Sequence, residues 1–130
     1  MEGSGMVTAG SEAFSLPVTF PRRIGESEGM TSPEELMAAA HAACYAMALA
    51  ATVGRRGGTI TKTRISCKVT AEKGDSGIKI HTSALSVIAE GLKGIEAADF
   101  PEVAKAAEEA CPVSNAYRGS LKVTLEATVK

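Results

Sequence analysis

The chain has 130 residues, of which 14 are basic and 15 acidic, so its formal net charge is −1. This balance, without a run of Lys or Arg, argues against nucleic acid as a partner, and the length predicts a single domain over residues 1–130. Hydrophobic residues make up 45% of the chain but aromatic residues only 4%. Because a core of Ala, Val, Ile and Leu is thin, association of two chains would bury more apolar surface.

The N-terminus and the cysteines bear on the compartment. No basic segment followed by an apolar run is present at the start, so no signal peptide is predicted. Three cysteines without such a signal are typical of the reducing cytoplasm, where paired thiols are more often catalytic or metal-binding than structural. The apolar run from Leu36 to Val53 has the length of a membrane span, but it is rich in Ala and contains His41. We therefore expect a buried helix and no membrane partner.

One strand is predicted in the N-terminal third. Residues 1–12 are rich in Gly and Ser and weakly patterned. Residues 14–20 alternate between apolar and polar side chains, and Pro17 indicates an edge strand. A polar loop over 25–29 then leads into a long helix.

The long helix has clear start and stop signals. Ser32 has the chemistry of an N-cap, Pro33 suits the first helical position, and Glu35 completes a Ser-x-x-Glu capping box. We expect the helix to run to about Val53 and to stop at Gly54. Since it is apolar nearly all round, it should be enclosed on most sides.

The second half of the chain reads as strands around a further helix. Alternation and a Gly-rich turn predict a hairpin, with strands over 59–72 and 78–89 joined at 73–77. A helix is predicted to start near Asp99 and to end at Cys111, because Pro112 disfavours helical geometry in the residue before it. A final strand covers 121–129. The order β-α-β-β-α-β predicts an α+β fold.

The three cysteines differ in context. Cys44 lies among alanines in the long helix, where a lone thiol is usually inert packing. Cys111 would be the N-cap of a short turn that starts at Pro112, and free backbone N–H groups there favour a thiolate. Cys67 is in the inward register of a strand, so we predict a core residue without chemistry.

Other polar side chains allow two interpretations each. His41, Cys44 and Cys111 could form a metal site, but no fourth ligand and no Cys-x-x-Cys pair accompany them. Glu34 is not needed for capping, although negative charge is favoured in a first helical turn. Arg22 and Arg23 are either surface charges or a means of keeping a thiolate ionised.

Two motifs together carry a family resemblance. The segment Ser32-Pro-Glu-Glu-Leu-Met-Ala-Ala-Ala-His-Ala-Ala-Cys44, followed by Cys111-Pro-Val-Ser114 and a terminal alternating strand, resembles the OsmC/Ohr thiol peroxidases. The similarity spans nearly the whole chain and is to the OsmC (osmotically inducible protein C) branch. It implies an OsmC-like fold in which two helices, one long, central and buried, pack against antiparallel sheets in an intertwined homodimer.

The resemblance also implies an activity and a set of site residues. Such proteins reduce organic hydroperoxides, and hydrogen peroxide less efficiently, in responses to oxidative and hyperosmotic stress. Cys44 matches the peroxidatic cysteine, Cys111 the resolving cysteine and Glu34 the family's glutamate. Arg23 fits the active-site arginine best, but the spacing is one residue off, so Arg22 stays an alternative. No cofactor is implied, and the reductant is a dithiol, with lipoyl groups preferred.

Helix geometry adds a prediction about assembly. Glu34 and Cys44 are ten residues apart on one helix, which is about 15 Å along its axis. If both serve one site, the simplest arrangement is a two-fold homodimer with each site built across the interface. The N-terminus departs from the family, whose members usually begin with a further strand bearing an aromatic-Gly signature. We therefore expect that strand to be replaced or truncated.

Rival functions differ from the peroxidase in a measurable way. A redox sensor or a thiol-dependent binding protein on the same fold would be oxidised once and stop, whereas an enzyme turns over when a dithiol is supplied. A metal-binding domain would instead contain stoichiometric zinc.

Overall fold

Helices and strands alternate along the chain, and the computed structural model describes residues 3–130. The chain divides into two compact units, Met1–Met37 and Ala38–Lys130, which are described one at a time. The prediction of one domain over 1–130 stays a prediction. In chain order the elements are β1 (Ser4–Thr8), β2 (Ser15–Thr19), α1 (Phe20–Ile24), α2 (Pro33–Arg55), β3 (Lys62–Gly74), β4 (Gly77–Glu90), a 3-10 turn (Ala97–Asp99), α3 (Phe100–Ala110), α4 (Pro112–Tyr117) and β5 (Lys122–Val129).

The first unit contains a strand that the sequence analysis missed. β1 pairs antiparallel with β2, in a register that runs from Ser4 opposite Thr19 to Thr8 opposite Ser15. We expected residues 1–12 to lack such an element, and that expectation was wrong over 4–8; residues 1–2 lie outside the described part of the chain. The signal was weak because most of β1 is exposed, so its side chains do not alternate between buried and exposed positions. β2 itself was predicted correctly.

A short helix, α1, follows β2 directly and was also missed. The Thr19 side chain caps it by accepting a hydrogen bond from the Arg22 N–H at 3.3 Å, and a proline lies in its first turn. Both features are ordinary helix-start signals. The helix matters because its last turn carries Arg22 and Arg23.

The start of α2 agrees with the sequence prediction and its end does not. The Glu35 N–H donates to the Ser32 hydroxyl at 3.1 Å, which confirms the N-cap. The Glu35 carboxylate accepts from the Thr31 hydroxyl at 3.0 Å, a variation on the predicted capping box. The helix continues to Arg55, and the predicted stop at Gly54 was wrong. The left-handed residue that ends it is Gly57, with φ of 76°, whose conformation suits a C-terminal cap.

Only one side of α2 is buried within the chain, so a single chain does not enclose the helix on most sides. Its buried residues recur every three or four positions. They include Ala38, His41, Tyr45, Leu49 and Val53. The opposite side is exposed and almost entirely alanine. We call it the alanine stripe, and it comprises Ala39, Ala40, Ala43, Met47, Ala50 and Ala51. By length and composition α2 could cross a bilayer, although 28% of its most apolar window is buried inside the chain.

The second unit is built on a three-stranded sheet in the order β3-β4-β5. β3 and β4 form the predicted antiparallel hairpin, with Gly74 opposite Gly77 at its turn. β5 lies parallel to β4, which corrects the expectation of purely antiparallel sheets. The physical reason is the connection: α3 and α4 lie between the two strands, and a crossover of that length can return the chain in the same direction.

The core of this unit lies between the sheet and two helices. Leu85, Val87 and Ala89 on β4 contribute the sheet side. The face of α3 predicted from three- and four-residue spacing is buried as expected. It comprises Phe100, Val103, Ala104 and Ala107, followed by Cys111. Since Cys111 belongs to this core, the chain leaves α3 with a buried thiol at the junction.

Candidate active site

Cys111 lies at the junction that the sequence predicted. It ends α3, with its N–H donating to the Glu108 carbonyl at 3.1 Å, and it is the N-cap residue of α4 in an extended conformation. Pro112 takes the first helical position of α4, where the N–H that proline lacks is not needed. The Cys111 side chain is fully buried and makes no capping hydrogen bond itself.

Cys44 is partly buried on α2 and faces the Cys111 junction. Its thiol lies beside the Cys111 side chain and the backbone N–H of Val113, and both act on its pKa. Burial raises the pKa of Cys44, the Val113 N–H lowers it, and the Cys111 thiol raises it further. The net pKa lies above the ordinary thiol value. The N–H of α4 that we expected to act on Cys111 thus lies beside Cys44, while the Cys111 side chain lies in the core.

The structure therefore places the two predicted cysteines beside each other. All three cysteines of the chain are free thiols. The third, Cys67, packs against the core as predicted, but its sulfur also lies 3.1 Å from the Ser83 hydroxyl. Two adjacent free thiols, one of them beside a backbone N–H, are equipped for reversible disulfide chemistry.

Arg23 and Glu34 form a second predicted pair, within the first unit. The guanidinium donates three hydrogen bonds to the carboxylate, from Nε at 3.0 and 3.2 Å and from Nη2 at 2.6 Å. The Glu34 side chain is only 11% exposed. Hydrogen bonding from Arg23 lowers the pKa of Glu34 below its usual value, against the opposing effect of burial. The fork of donors holds the guanidinium in one orientation.

Arg22, the alternative to Arg23, has a different partner. Its Nη2 lies 2.6 Å from a carboxylate oxygen of Glu28, whose side chain is 61% exposed. The structure therefore assigns Glu34 to Arg23. The arginine pair belongs to the first unit and the cysteine pair to the second.

A buried polar cluster around His41 was not foreseen. His41 is fully buried on α2, with Nδ1 2.6 Å from the Ser83 hydroxyl and Nε2 2.6 Å from the Ser114 hydroxyl. The edge of the imidazole also meets the ring of Tyr117, with centroids 5.1 Å apart. Its partners are 42 and 73 positions away along the chain, so no local pattern could reveal them. The signal in the sequence that pointed to this cluster was the position of Ser114 within the Cys111-Pro-Val-Ser114 motif.

The cluster also bears on the metal-site interpretation. Both ring nitrogens of His41 are engaged by hydroxyl groups rather than directed at Cys44 or Cys111. Within residues 3–130 no group of three or more His, Cys, Asp or Glu side chains is arranged to hold a metal ion.

Comparisons with known proteins identify a family for the chain. Residues 25–126 match the family model described as OsmC-like protein. The chain is 37% identical to peroxiredoxin OsmC of Escherichia coli K12 over 98% of its own length and 87% of that protein. It is 32% identical to the organic hydroperoxide resistance protein OhrA of Bacillus subtilis, over 94% of the chain and 86% of the relative.

Solved structures share the fold. The organic hydroperoxide resistance protein OhrB of Bacillus subtilis superposes with a TM-score of 0.76 at 27% identity, covering 98% of each chain. An organic hydroperoxide resistance protein OsmC of Legionella pneumophila gives 0.77 at 24% identity, covering 98% of this chain and 96% of that one. The predicted α+β fold, the resemblance and the predicted class of thiol-dependent peroxidase are thus confirmed at the level of the family. The chain belongs to the OsmC-like protein family.

Proposed function

We propose that this chain is a cysteine-based peroxidase that reduces organic hydroperoxides, and hydrogen peroxide less efficiently, to alcohols. The observation that carries the proposal is the placement of the Cys44 thiol beside the Cys111 thiol and the Val113 N–H, near enough for both to act on its pKa. The names of the relatives support the substrate class, since several are organic hydroperoxide resistance proteins. A role in defence against oxidative stress, and in the hyperosmotic response, forms part of the same proposal.

The chemistry proceeds in two steps at the cysteine pair. The Cys44 thiolate attacks the terminal peroxide oxygen, the O–O bond breaks, and the alkoxide takes a proton and leaves as an alcohol while Cys44 becomes a sulfenic acid. The Cys111 thiol then attacks the Cys44 sulfur, forming a disulfide and releasing water. A dithiol reductant of the lipoyl type restores both thiols and becomes a disulfide itself. No cofactor is needed, because both electrons come from the two sulfurs.

The proposal assigns Arg23 and Glu34 to the same reaction. When burial raises the pKa of a thiol, a positively charged or hydrogen-bonding group is needed for the thiolate to form near neutral pH. The Val113 N–H supplies one such group, and a guanidinium would supply charge and donors for the peroxide oxygens. Glu34 holds the Arg23 guanidinium by three hydrogen bonds, so its proposed role is to orient that group.

We further propose that the working form is an intertwined homodimer whose sites are shared between subunits. Glu34 and Cys44 are separated by about 15 Å of α2, so a glutamate side chain cannot reach Cys44 along its own helix. The alanine stripe on the exposed side of α2 supports close packing of a second copy, because small side chains let backbones approach. Met47 in the middle of the stripe is 75% exposed, as expected of a surface that association would cover.

The proposed setting is the cytoplasm, without a nucleic-acid or membrane partner. Support comes from the balanced charge of the chain, which lacks the basic footprint of a nucleic-acid binder. The absence of a membrane partner is supported by the buried side of α2, which packs against the sheet and α3 rather than against lipid. On that side the Tyr45 hydroxyl donates to the Ala104 carbonyl at 3.1 Å.

A steady-state assay tests the activity and separates the enzyme from a redox sensor. Cumene hydroperoxide is consumed many times over per chain when dihydrolipoamide is supplied, if the proposal holds. Cys44→Ser abolishes consumption, whereas Cys67→Ser, a matched change at the third cysteine, leaves it within about twofold. Consumption of a single equivalent, followed by arrest with the dithiol present, would instead establish a sensor.

Subunit complementation tests the shared site. Unfolded Cys44→Ser and Glu34→Gln chains are mixed in equal amounts and refolded together. Each heterodimer then holds one doubly damaged site and one intact site, so random pairing restores up to roughly a quarter of wild-type activity. A refolded mixture no more active than the separate variants would rule out sharing.

A further inference from the structure

The buried cluster around His41 connects the two cysteine-bearing elements. His41 lies three residues before Cys44 on α2, and Ser114 lies three residues after Cys111 in the first turn of α4. The 2.6 Å hydrogen bond between His41 Nε2 and the Ser114 hydroxyl therefore joins the two elements one helical turn away from the sulfurs. Both partners are fully buried, so water does not compete for this bond.

The other ring nitrogen fixes His41 to the sheet. Nδ1 lies 2.6 Å from the hydroxyl of Ser83, which is fully buried on β4 and also contacts the Cys67 sulfur at 3.1 Å. With a hydroxyl on each side, the imidazole cannot rotate without losing both hydrogen bonds inside the core. The ring, which belongs to α2, is thus held in one orientation between β4 and α4.

We propose that His41 is a positioning residue whose hydrogen bond to Ser114 holds the first turn of α4 on α2, keeping the Cys111 thiol and the Val113 N–H on the Cys44 thiol. Val113 immediately precedes Ser114, so a serine held in place also holds the Val113 N–H that acts on Cys44. Other side chains anchor this segment C-terminal to Ser114. Asn115 reaches the Glu109 carbonyl at 3.0 Å, and Arg118 reaches Glu108 at 2.8 Å.

This inference deepens the proposed function and rests on it, since positioning of the two sulfurs matters for the disulfide-forming step. Disulfide formation within a chain depends on the effective concentration of one thiol at the other, which falls when the segment carrying it becomes mobile. His41 touches neither sulfur in this role. It acts through Ser114 and the backbone of α4.

The test measures that effective concentration without any peroxide. Purified protein is equilibrated in glutathione redox buffers at pH 7, and peptide mapping gives the fraction of Cys44–Cys111 disulfide. Ser114→Ala lowers the effective concentration of Cys111 at Cys44 by about tenfold, the scale of one buried hydrogen bond. The matched control is Ser83→Ala, which removes a bond of equal length to the same ring but on β4, and which leaves the value within about twofold.

Two substitutions of His41 distinguish positioning from general support of the core. Gln places an amide atom near the position of Nε2 and retains a partner for Ser114, whereas Asn reaches only the Nδ1 side and Ser83. His41→Gln therefore stays within about twofold of wild type, and His41→Asn falls by about tenfold, as Ser114→Ala does. Equal losses in His41→Gln and His41→Asn, or equal losses in Ser83→Ala and Ser114→Ala, would overturn the proposal.

A second readout uses the reaction itself. With excess cumene hydroperoxide, Ser114→Ala and His41→Asn accumulate sulfinic acid on Cys44 several-fold faster than wild type, because the resolving thiol arrives late. Unchanged sulfinic acid formation in both would contradict the inference. If wild-type protein consumes no hydroperoxide, the proposed function fails, yet the glutathione equilibrium still decides whether His41 positions α4.

Discussion

Replacing Arg23 with Met would leave Glu34 as a carboxylate without its cation in a site where its side chain is 11% exposed. Three hydrogen bonds between the two side chains are lost. Hydrogen bonds to charged groups contribute about 1.5–3 kcal/mol, and an unpaired buried charge adds a desolvation cost. We expect Arg23→Met to lower the free energy of unfolding by about 2 kcal/mol at pH 7.

Arg22→Met is the matched control, because it removes the same group from the neighbouring residue of α1. Its partner Glu28 is 61% exposed, so the ion pair is screened by solvent and contributes less than about 1 kcal/mol. Urea unfolding at a fixed protein concentration measures both variants against wild type. Equal decreases in the free energy of unfolding in the two variants would refute a larger contribution from the Arg23–Glu34 pair.

The loss of stability caused by Arg23→Met should depend on pH. Hydrogen bonding from Arg23 holds the pKa of Glu34 below its ordinary value, so this stabilisation is complete above the unfolded value of about 4.3. It is lost as the pH falls through the lowered pKa of the folded state. The gap in stability between wild type and Arg23→Met therefore narrows below about pH 4. A gap that stays constant down to pH 2 would show that the carboxylate is not the partner.

Two further predictions concern the chemistry of Cys44. Arg23→Met slows reduction of cumene hydroperoxide at least tenfold in a steady-state assay, and Arg22→Met changes the rate by less than about twofold, since only Arg23 is oriented by Glu34; the reverse order would transfer the role to Arg22. Cys111→Ala removes a side chain that raises the pKa of Cys44, so Cys44 alkylation by iodoacetamide at pH 7 becomes faster. Slower alkylation in that variant would mean that the Cys111 thiol assists the thiolate instead.

Features governed by neighbouring residues were predictable from the sequence. The break between α3 and α4 at Cys111 follows from the proline beside it, and the start of α2 follows from the Ser32 hydroxyl. Both are decided within four residues, so a linear pattern contains them. The pairing of Cys44 with Cys111 came from a family resemblance rather than from geometry.

Features that depend on distant parts of the chain were not predictable. The parallel placement of β5 depends on how α3 and α4 return the chain, and the His41 cluster joins α2, β4 and α4. Which arginine pairs with Glu34 depended on α1, a five-residue helix that the sequence analysis missed. The sequence did not reveal that the alanine stripe is exposed. A helix that is apolar on all sides has the same sequence pattern whether its own chain or a second chain covers it.

In the proposed reaction, Cys44 and Cys111 form a disulfide as the product of hydroperoxide reduction. The most direct measurement adds one equivalent of cumene hydroperoxide to the reduced protein and determines intact mass and the bridged peptides. We expect a mass lower by about two hydrogens per chain and a single bridge between Cys44 and Cys111. A bridge that includes Cys67, or sulfinic acid on Cys44 in the wild-type protein at one equivalent, would contradict it.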